Sequence, residues 1–301
     1  MNRYSELINL AESRGCKCLE NEPMSRHTSF RIGGPAQLFI SVNDNHALVE
    51  LVKYIHQNSI PYFVLGNGSN LLVSDAGIDG VVLNICTDNI EMLSSDTVRC
   101  DAGVKLSRLC NVAMENSLSG LEFAYGIPGS VGGAVFMNAG AYISEIKNVV
   151  VECEHITPEG KIEKIKGDRL GFGYRTSCYQ KTDNLVISAT FKLVLGEKSE
   201  INQMMQEFMN RRRDKQPLEF PSAGSVFKRP EGYYAGALIE ECGLKGHCIG
   251  GACVSEKHAG FIVNTGGATC EDVLSLVKHI QNTVYSKKGV WLENEIKFIG
   301  R

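Results

Sequence analysis

Two glycine-rich stretches hold the residues best able to meet a ligand through the main chain. The first, VLGNGSNLLVSD at 64–75, sets Gly66, Asn67, Gly68, Ser69 and Asn70 as a polar turn between two apolar segments. The second, GIPGSVGGAVFMNAG at 126–140, carries five glycines (Gly126, Gly129, Gly132, Gly133, Gly140), Pro128 and no charge. Glycine admits positive φ and lets another group come close to the backbone. A dense run of it exposes N–H groups that can cradle a phosphate. The spacing is neither G-x-G-x-x-G nor G-x-x-x-x-G-K-[ST], and no basic residue lies inside it, so it is neither a Rossmann fingerprint nor a P-loop. Two such loops about 60 residues apart suit the two ends of one extended ligand with a pyrophosphate in its middle. A tight turn between buried elements explains the second run as well.

Other groups invite chemistry less specifically. RRRDK at 211–215 is a local cationic cluster that suits an anion; a helix C-terminus complementing its dipole explains it too. His247, Cys248, Cys253 and His258 suggest zinc, but their spacing is not a finger pattern, and no metal is expected. Eleven cysteines without a C-x-x-C read as free, mostly buried thiols in a reducing cytoplasm. The N-terminus shows no apolar signal region, and no apolar run approaches the ~20 residues of a membrane span. A net charge of −3 leaves no footprint for nucleic acid or an anionic membrane.

The elements around these residues follow from periodicity. Residues 2–14 put Tyr4, Leu7, Ile8 and Ala11 on one helical face. TSFRIGGPAQLFI reads as strand, turn and strand. A helix over 45–58 buries Ala47, Leu48, Leu51, Val52 and Ile55, with Asp44 or Asn45 as its cap. Strands follow at YFVLG and GVVLNI, then a strand at 97–103 and a helix at 104–117. NVVVECEHIT and KIEKIK flank a Pro-Glu-Gly hairpin turn. NLVISATFKLVL is one long strand. Composition shifts at Gly196, where a helix with Ile201, Met204, Met205, Phe208 and Met209 on its apolar stripe begins. Helices at 235–242 and 270–287, strands near 249–255 and 260–264, and a closing alternating strand VWLENEIKFI complete the chain. Alternation puts Glu293 and Glu295 on the same face of that strand and does not choose between them.

With 301 residues the chain suits two domains or one large one, its 43% apolar residues can build real cores, and its elements are of mixed α+β type. VLGNGSN followed by GIPGSVGGAVFMNAGAY resembles the FAD-binding loops of the vanillyl-alcohol-oxidase/PCMH flavoprotein superfamily. Within it, the chain resembles the UDP-N-acetylenolpyruvoylglucosamine reductase (MurB) family from about His27 to Arg301. TSFRIGGPA, GYRTS, QPLEFPSAGSVFKRP, AGALIEECGLKG, KHAGFIVN and LENEIKFIG occur in the family's order. The resemblance implies a PCMH-type FAD-binding fold in two subdomains, 1–85 (joined by a C-terminal strand at about 295–301) and 86–196, plus an α+β substrate domain at 197–294.

It further implies non-covalent FAD, NADPH as co-substrate, and conversion of UDP-N-acetylglucosamine enolpyruvate to UDP-N-acetylmuramate by a cytoplasmic monomer. Hydride passes from flavin N5 to C3, and a proton is added at C2. FAD falls to Gly66, Asn67, Gly68, Ser69, Asn70, Gly126, Pro128, Gly129, Ser130, Gly132, Gly133, Ala134, Asn138 and Gly140. Arg175 is implied to stabilise the enolate, because its fork holds a carboxylate bidentately. Ser225 is implied as the proton donor, with Lys215 or Lys228 as its relay. Glu295, with a pKa raised by burial, is implied to bond the substrate carboxylate or the enolate. Lys215, Gln216 and Tyr233 are expected to take the nucleotide. Arg229 stands where the family's Phe-Lys-Asn-Pro motif has Asn, and Ala237 where many relatives carry Lys. The chain lacks room for the tyrosine-bearing loop of the longer type and so resembles the shorter one. A flavin oxidase of the same superfamily and a non-catalytic sugar-nucleotide or flavin binding protein are the alternative readings.

Overall fold

The structure is a computed structural model that describes residues 4–142 and 144–301. The chain forms two compact units. One comprises residues 1–20, 38–67 and 80–211, the other 21–37, 68–79 and 212–301. The whole 86–196 stretch therefore lies in the first unit.

The first unit is built around a five-stranded antiparallel sheet in the order Ile162–Lys166, Val150–Ile156, Leu185–Lys192, Thr97–Asp101, Ile90–Ser94. The Pro-Glu-Gly turn joins the first two strands, as the spacing requires, with Ile156 opposite Ile162. Leu185–Lys192 is central and buried almost throughout, so it reads as a continuous apolar run instead of an alternation. The helix Asn45–Gln57 buries Ala47, Leu48, Leu51, Val52 and Ile55. Asp44 caps it by accepting the Ala47 N–H at 2.8 Å. Leu38, Ile40, Val42, Val81, Leu83 and Ile85, from a four-stranded sheet, join the same core. In that sheet Tyr62–Leu65 and Ile78–Ile85 run parallel.

The second unit packs the helices Ala235–Glu241 and Cys270–Lys288 with a four-stranded sheet ordered Ser222–Ser225, Phe261–Asn264, Ala252–Val254, Cys248–Ile249. The long helix carries a full capping box, Thr269 with Asp272, and ends at Gly289 with φ +69°. Val273, Leu276, Val277, Ile280 and Val284, its apolar stripe, are all buried. Phe30, Ile32 and Leu72 complete this core.

TSFRI forms no strand, and NLVISATFKLVL divides into Leu185–Lys192 and Val194–Leu195, which belong to different sheets. Three further expectations change. The closing segment is not one strand: Lys297–Ile299 forms a short strand parallel to Leu71–Val73, and Asn294 makes an isolated antiparallel bridge to Phe227. Before it, the Glu295 and Ile296 N–H groups both point at the Val226 carbonyl, so the regular alternation breaks there. Phe298, expected to face inward with Leu292 and Ile296, is half exposed. The second change lies in the glycine run, where Val131–Met137 is a helix. Thirdly, not all cysteines are free. Cys248 and Cys253 face each other across a Gly250-Gly251 hairpin and form a disulfide.

The remaining nine cysteines are free thiols. Burial raises most of them, Cys153 and Cys270 to about 12 and Cys18 to about 11, so little thiolate exists at neutral pH. Alkylation of the native protein is therefore expected to be slow. Denaturant should release nine reactive thiols, and reductant two more from the disulfide, as counted by mass spectrometry.

Candidate active site

The first unit brings the glycine run and Arg175 together. Gly132 and Gly133 are poor helix formers, so caps and packing make the helix Val131–Met137. Ser130 accepts the Gly133 N–H at 3.3 Å, and the helix ends at Asn138 with φ +42°. Gly132 must be glycine for a packing reason, because a Cβ there would lie 2.9 Å from the Ala102 Cβ. The Val131 and Gly132 N–H groups donate to Val104 and Ala102 carbonyls at 2.8 Å. This helix end therefore spends its donors inside the protein, against the expectation of a phosphate cradle.

The first loop suits a phosphate better. The main-chain N–H groups of Gly66 and Asn67 meet no acceptor among the described residues. A Cβ on Gly66 would collide with the Ser130 hydroxyl, so the two loops touch here. The Asn67 amide donates to the Pro128 carbonyl at 2.5 Å. A glycine turn with two unengaged N–H donors, held against the second loop, fits the diphosphate of an FAD. Gly126, Gly129 and Ala134 belong to the same loop-and-helix segment.

Asn138 is fully buried and committed to the protein. Its amide donates to Glu145 Oε2 at 3.0 Å and the Gly173 carbonyl at 2.9 Å. Its Oδ1 accepts the Lys147 N–H at 2.9 Å. Asn138 therefore ties the glycine run to the tight turn Gly173–Thr176 that carries Arg175. Arg175 is held at φ +54°, a conformation costly for a non-glycine residue. Its Nη2 donates to the Gly140 carbonyl at 3.3 Å, and its guanidinium lies 5.1 Å from the Tyr174 ring centre. Two residues that sequence reasoning passed over clamp this turn. Ser177 Oγ donates to the Phe136 carbonyl at 2.8 Å, and Gln180 Nε2 donates to the Phe136 and Arg175 carbonyls at 2.9 Å each. The polar residues directly after GYRT were the available signal.

Removing the Asn138 amide leaves several buried polar groups without partners. Asn138→Ala should destabilise the protein by at least about 2 kcal/mol, read as a lower thermal midpoint.

The second unit brings Ser225, Glu295 and Asn70 together. The strand Ser222–Ser225 is bulged at Gly224, φ +79°, before Ser225 returns to register opposite Phe261. A bulge re-aims the side chain that follows it. The Ser225 hydroxyl donates to the Phe227 carbonyl at 3.3 Å. The next residue, Val226, accepts the Glu295 N–H at 2.8 Å. Asn70 brackets the same segment, its side chain donating to the Glu295 carbonyl at 3.3 Å and its own carbonyl accepting the Lys297 N–H at 3.0 Å. Gly68, φ +59°, lets the backbone pass close to His27, and its carbonyl accepts the Ser29 N–H; Ser69 lies between it and Asn70.

The two glutamates have different surroundings. Glu293 is exposed and pairs with Lys228 at 3.0 Å, while Glu295 is half buried. That ion pair also occupies Lys228, one of the two lysines expected to relay a proton to Ser225. The other, Lys215, is exposed at the end of the helix Lys198–Lys215. Gln216 Oε1 is buried with no partner among the described residues. Tyr233 lines a cavity of about 300 Å³ with Tyr234, Ala237, Leu238 and Lys288. The Arg229 guanidinium lies 4.0 Å from the Tyr234 ring centre, a cation–π arrangement.

Residues 36–166 match the FAD binding domain family, and residues 216–299 match the C-terminal domain of UDP-N-acetylenolpyruvoylglucosamine reductase. The enzyme of that name from Caldanaerobacter subterraneus subsp. tengcongensis is 50% identical over 280 residues, covering 93% of each chain. The one from Clostridium botulinum strain Hall is 47% identical and covers 100% of this chain and 99% of its own. The crystal structure of the reductase from Thermus caldophilus superposes with a TM-score of 0.81 at 34% identity, covering 94% of this chain and 98% of that one. The fold is the α+β, PCMH-type FAD-binding fold that the resemblance implied. The chain belongs to the UDP-N-acetylenolpyruvoylglucosamine reductase family.

Proposed function

We propose that this chain reduces UDP-N-acetylglucosamine enolpyruvate to UDP-N-acetylmuramate, a peptidoglycan precursor, with NADPH as electron donor. The likeness to reductases of that name over essentially the whole chain carries this reading. FAD, when bound, supplies the hydride at C3 of the enolpyruvyl group. The glycine loops at 66–70 and 126–140 are the residues that would hold it.

The chain's own side chains do the rest. Arg175 grips the substrate carboxylate and stabilises the negative charge that grows there as C3 is reduced. Ser225 donates its proton to C2. Glu295 bonds the carboxylate or the enolate. Lys215, Gln216 and Tyr233 take the nucleotide, with the aromatic ring suited to stack on uracil and the ammonium to meet the diphosphate. The division into 1–85, 86–196 and 197–294 assigns FAD to the first two stretches and the sugar nucleotide to the third. We place the enzyme in the cytoplasm as a monomer acting on a small molecule, without nucleic acid. No helix among the described residues is long and apolar enough to cross a membrane.

The test is a purification followed by turnover. The protein should bind FAD without a covalent link, released by denaturation. It should consume NADPH only when the enolpyruvyl sugar is added. Consumption that depends on oxygen instead of that sugar would favour a flavin oxidase. A protein that binds the sugar nucleotide and never turns over would be the binding protein.

A further inference from the structure

The relay group expected beside Ser225 is not provided by Lys228, which pairs with Glu293. A different side chain lies there. A Cβ placed on Gly260 would sit 3.5 Å from the Ser225 hydroxyl oxygen, 3.1 Å from His258 Nδ1 and 3.0 Å from His258 Cε1. The imidazole and the hydroxyl thus flank the space over one glycine. A Cβ on Gly236 would lie 3.2 Å from the same Cε1 and 3.3 Å from the Gly260 nitrogen. Both glycines leave room for this ring. Phe261 meets it edge-on, with centres 5.0 Å apart. Ser255 Oγ accepts the Lys257 N–H at 3.1 Å and the His258 N–H at 3.3 Å, which fixes the turn.

His258 Nδ1 accepts the Gly260 N–H at 3.1 Å. The Gly260 carbonyl accepts the Val226 N–H at 2.9 Å, and the Val226 carbonyl accepts the Glu295 N–H at 2.8 Å. Ser225 is covalently joined to Val226. One line of peptide hydrogen bonds therefore runs from the imidazole to both residues.

We infer that His258 is a positioning residue that, through Gly260 and Val226, sets the places of Ser225 and Glu295. This rests on the roles proposed above for those two residues. The bond at Nδ1 exists only while that nitrogen is unprotonated. Burial lowers the His258 pKa below its ordinary value of 6.5, and the Lys245 ammonium adds to this while Glu240 opposes it. Lys245 and Glu240 are themselves paired at 2.7 Å. In the ring's own turn, Lys257 is tied to the Arg213 carbonyl and Glu256 lies against Gly246. A group with a lowered folded pKa contributes fully above its unfolded value, and its contribution is lost as pH falls through the folded one. The device therefore acts on the acid side, below 6.5.

The test compares the holoenzyme with His258→Ala and His258→Asn, whose Oδ1 can take the place of Nδ1. In His258→Ala, NADPH should bleach the bound flavin at the parental rate. Reoxidation by UDP-N-acetylglucosamine enolpyruvate should slow by about 10–100-fold through misplacement, in kcat more than in KM. His258→Asn should recover most of that rate and lose the acid limb of its pH profile, because an amide does not titrate. Hydrogen exchange at the Gly260, Val226 and Glu295 amides should quicken in the Ala variant and return towards parental values in the Asn variant. Unchanged exchange and unchanged reoxidation in His258→Ala would overturn the inference, as would an acid limb that persists in His258→Asn. The exchange readout needs no turnover. A parent that ignores the enolpyruvyl sugar overturns the proposed function and leaves this inference to be judged by exchange alone.

Discussion

Arg175→Ala should leave the reduction of bound flavin by NADPH intact and slow its reoxidation by the enolpyruvyl sugar by about 10²–10³. The reason is charge development. The substrate carboxylate is already negative, and adding hydride at C3 pushes a second negative charge towards it. A guanidinium fork stabilises that charge more in the transition state than in the ground state, and only such differential binding raises the rate. The fork is preorganised by its turn. Arg175 is held at φ +54°, its carbonyl is bonded by Gln180, and the neighbouring Gly173 carbonyl is bonded by the buried Asn138. Such strain persists only where the surroundings over-determine it. Arg175→Lys keeps the charge and loses the fork, so it should recover only part of the rate. Separate measurement of the two half-reactions by stopped-flow absorbance distinguishes this from general damage, which would slow both.

Ser225→Ala should cost about 10²–10⁴ in the same second half-reaction, again without touching the first. Here the lost function is a proton at C2. An aliphatic hydroxyl is a weak acid, so its position has to do most of the work. The bulge at Gly224 and the bond to the Phe227 carbonyl at 3.3 Å provide that position. Ser225→Cys retains a donor at the same site and should fall between the parent and the alanine variant. Equal slowing of both half-reactions in Ser225→Ala would mean that the residue shapes the site instead of supplying a proton.

Much of this arrangement was legible before the structure, in particular places. The stripe Val273, Leu276, Val277, Ile280, Val284 marked its helix because one buried face repeats at helical spacing. Asp44 marked a helix start because a carboxylate there satisfies an N–H left open at the helix end. The helix Val131–Met137 was not legible, since glycines lower helix propensity and its apolar residues have no period. Its caps at Ser130 and Asn138 and the close packing on Ala102 hold it, and these are tertiary facts. The break in the closing segment was hidden for a similar reason. Alternation describes one strand's faces, whereas Glu293–Ile296 takes its bonds from Val226 and Lys228, far off in sequence.

The candidate site divides in the same way. Motif resemblance pointed to Arg175, Ser225 and Glu295 as expected site residues; in the structure Glu295 is half buried, whereas Glu293 is exposed and paired with Lys228. The disulfide had a sequence signal that was not used. Gly250-Gly251 between Ile249 and Ala252 is a two-residue hairpin turn, which sets Cys248 opposite Cys253. Asn138 was given to FAD by the family resemblance, and in the structure its side-chain polar atoms bond within the protein. Nothing in its neighbours' identity distinguishes those two uses.

Electrons from NADPH are expected to leave this protein on an enolpyruvyl sugar nucleotide. The most direct measurement is anaerobic. The purified holoprotein is reduced with one equivalent of NADPH, and UDP-N-acetylglucosamine enolpyruvate is then added without oxygen. The flavin absorbance should return, and UDP-N-acetylmuramate should appear in equal amount. A flavin that stays bleached with that sugar and recovers only when air is admitted would contradict it.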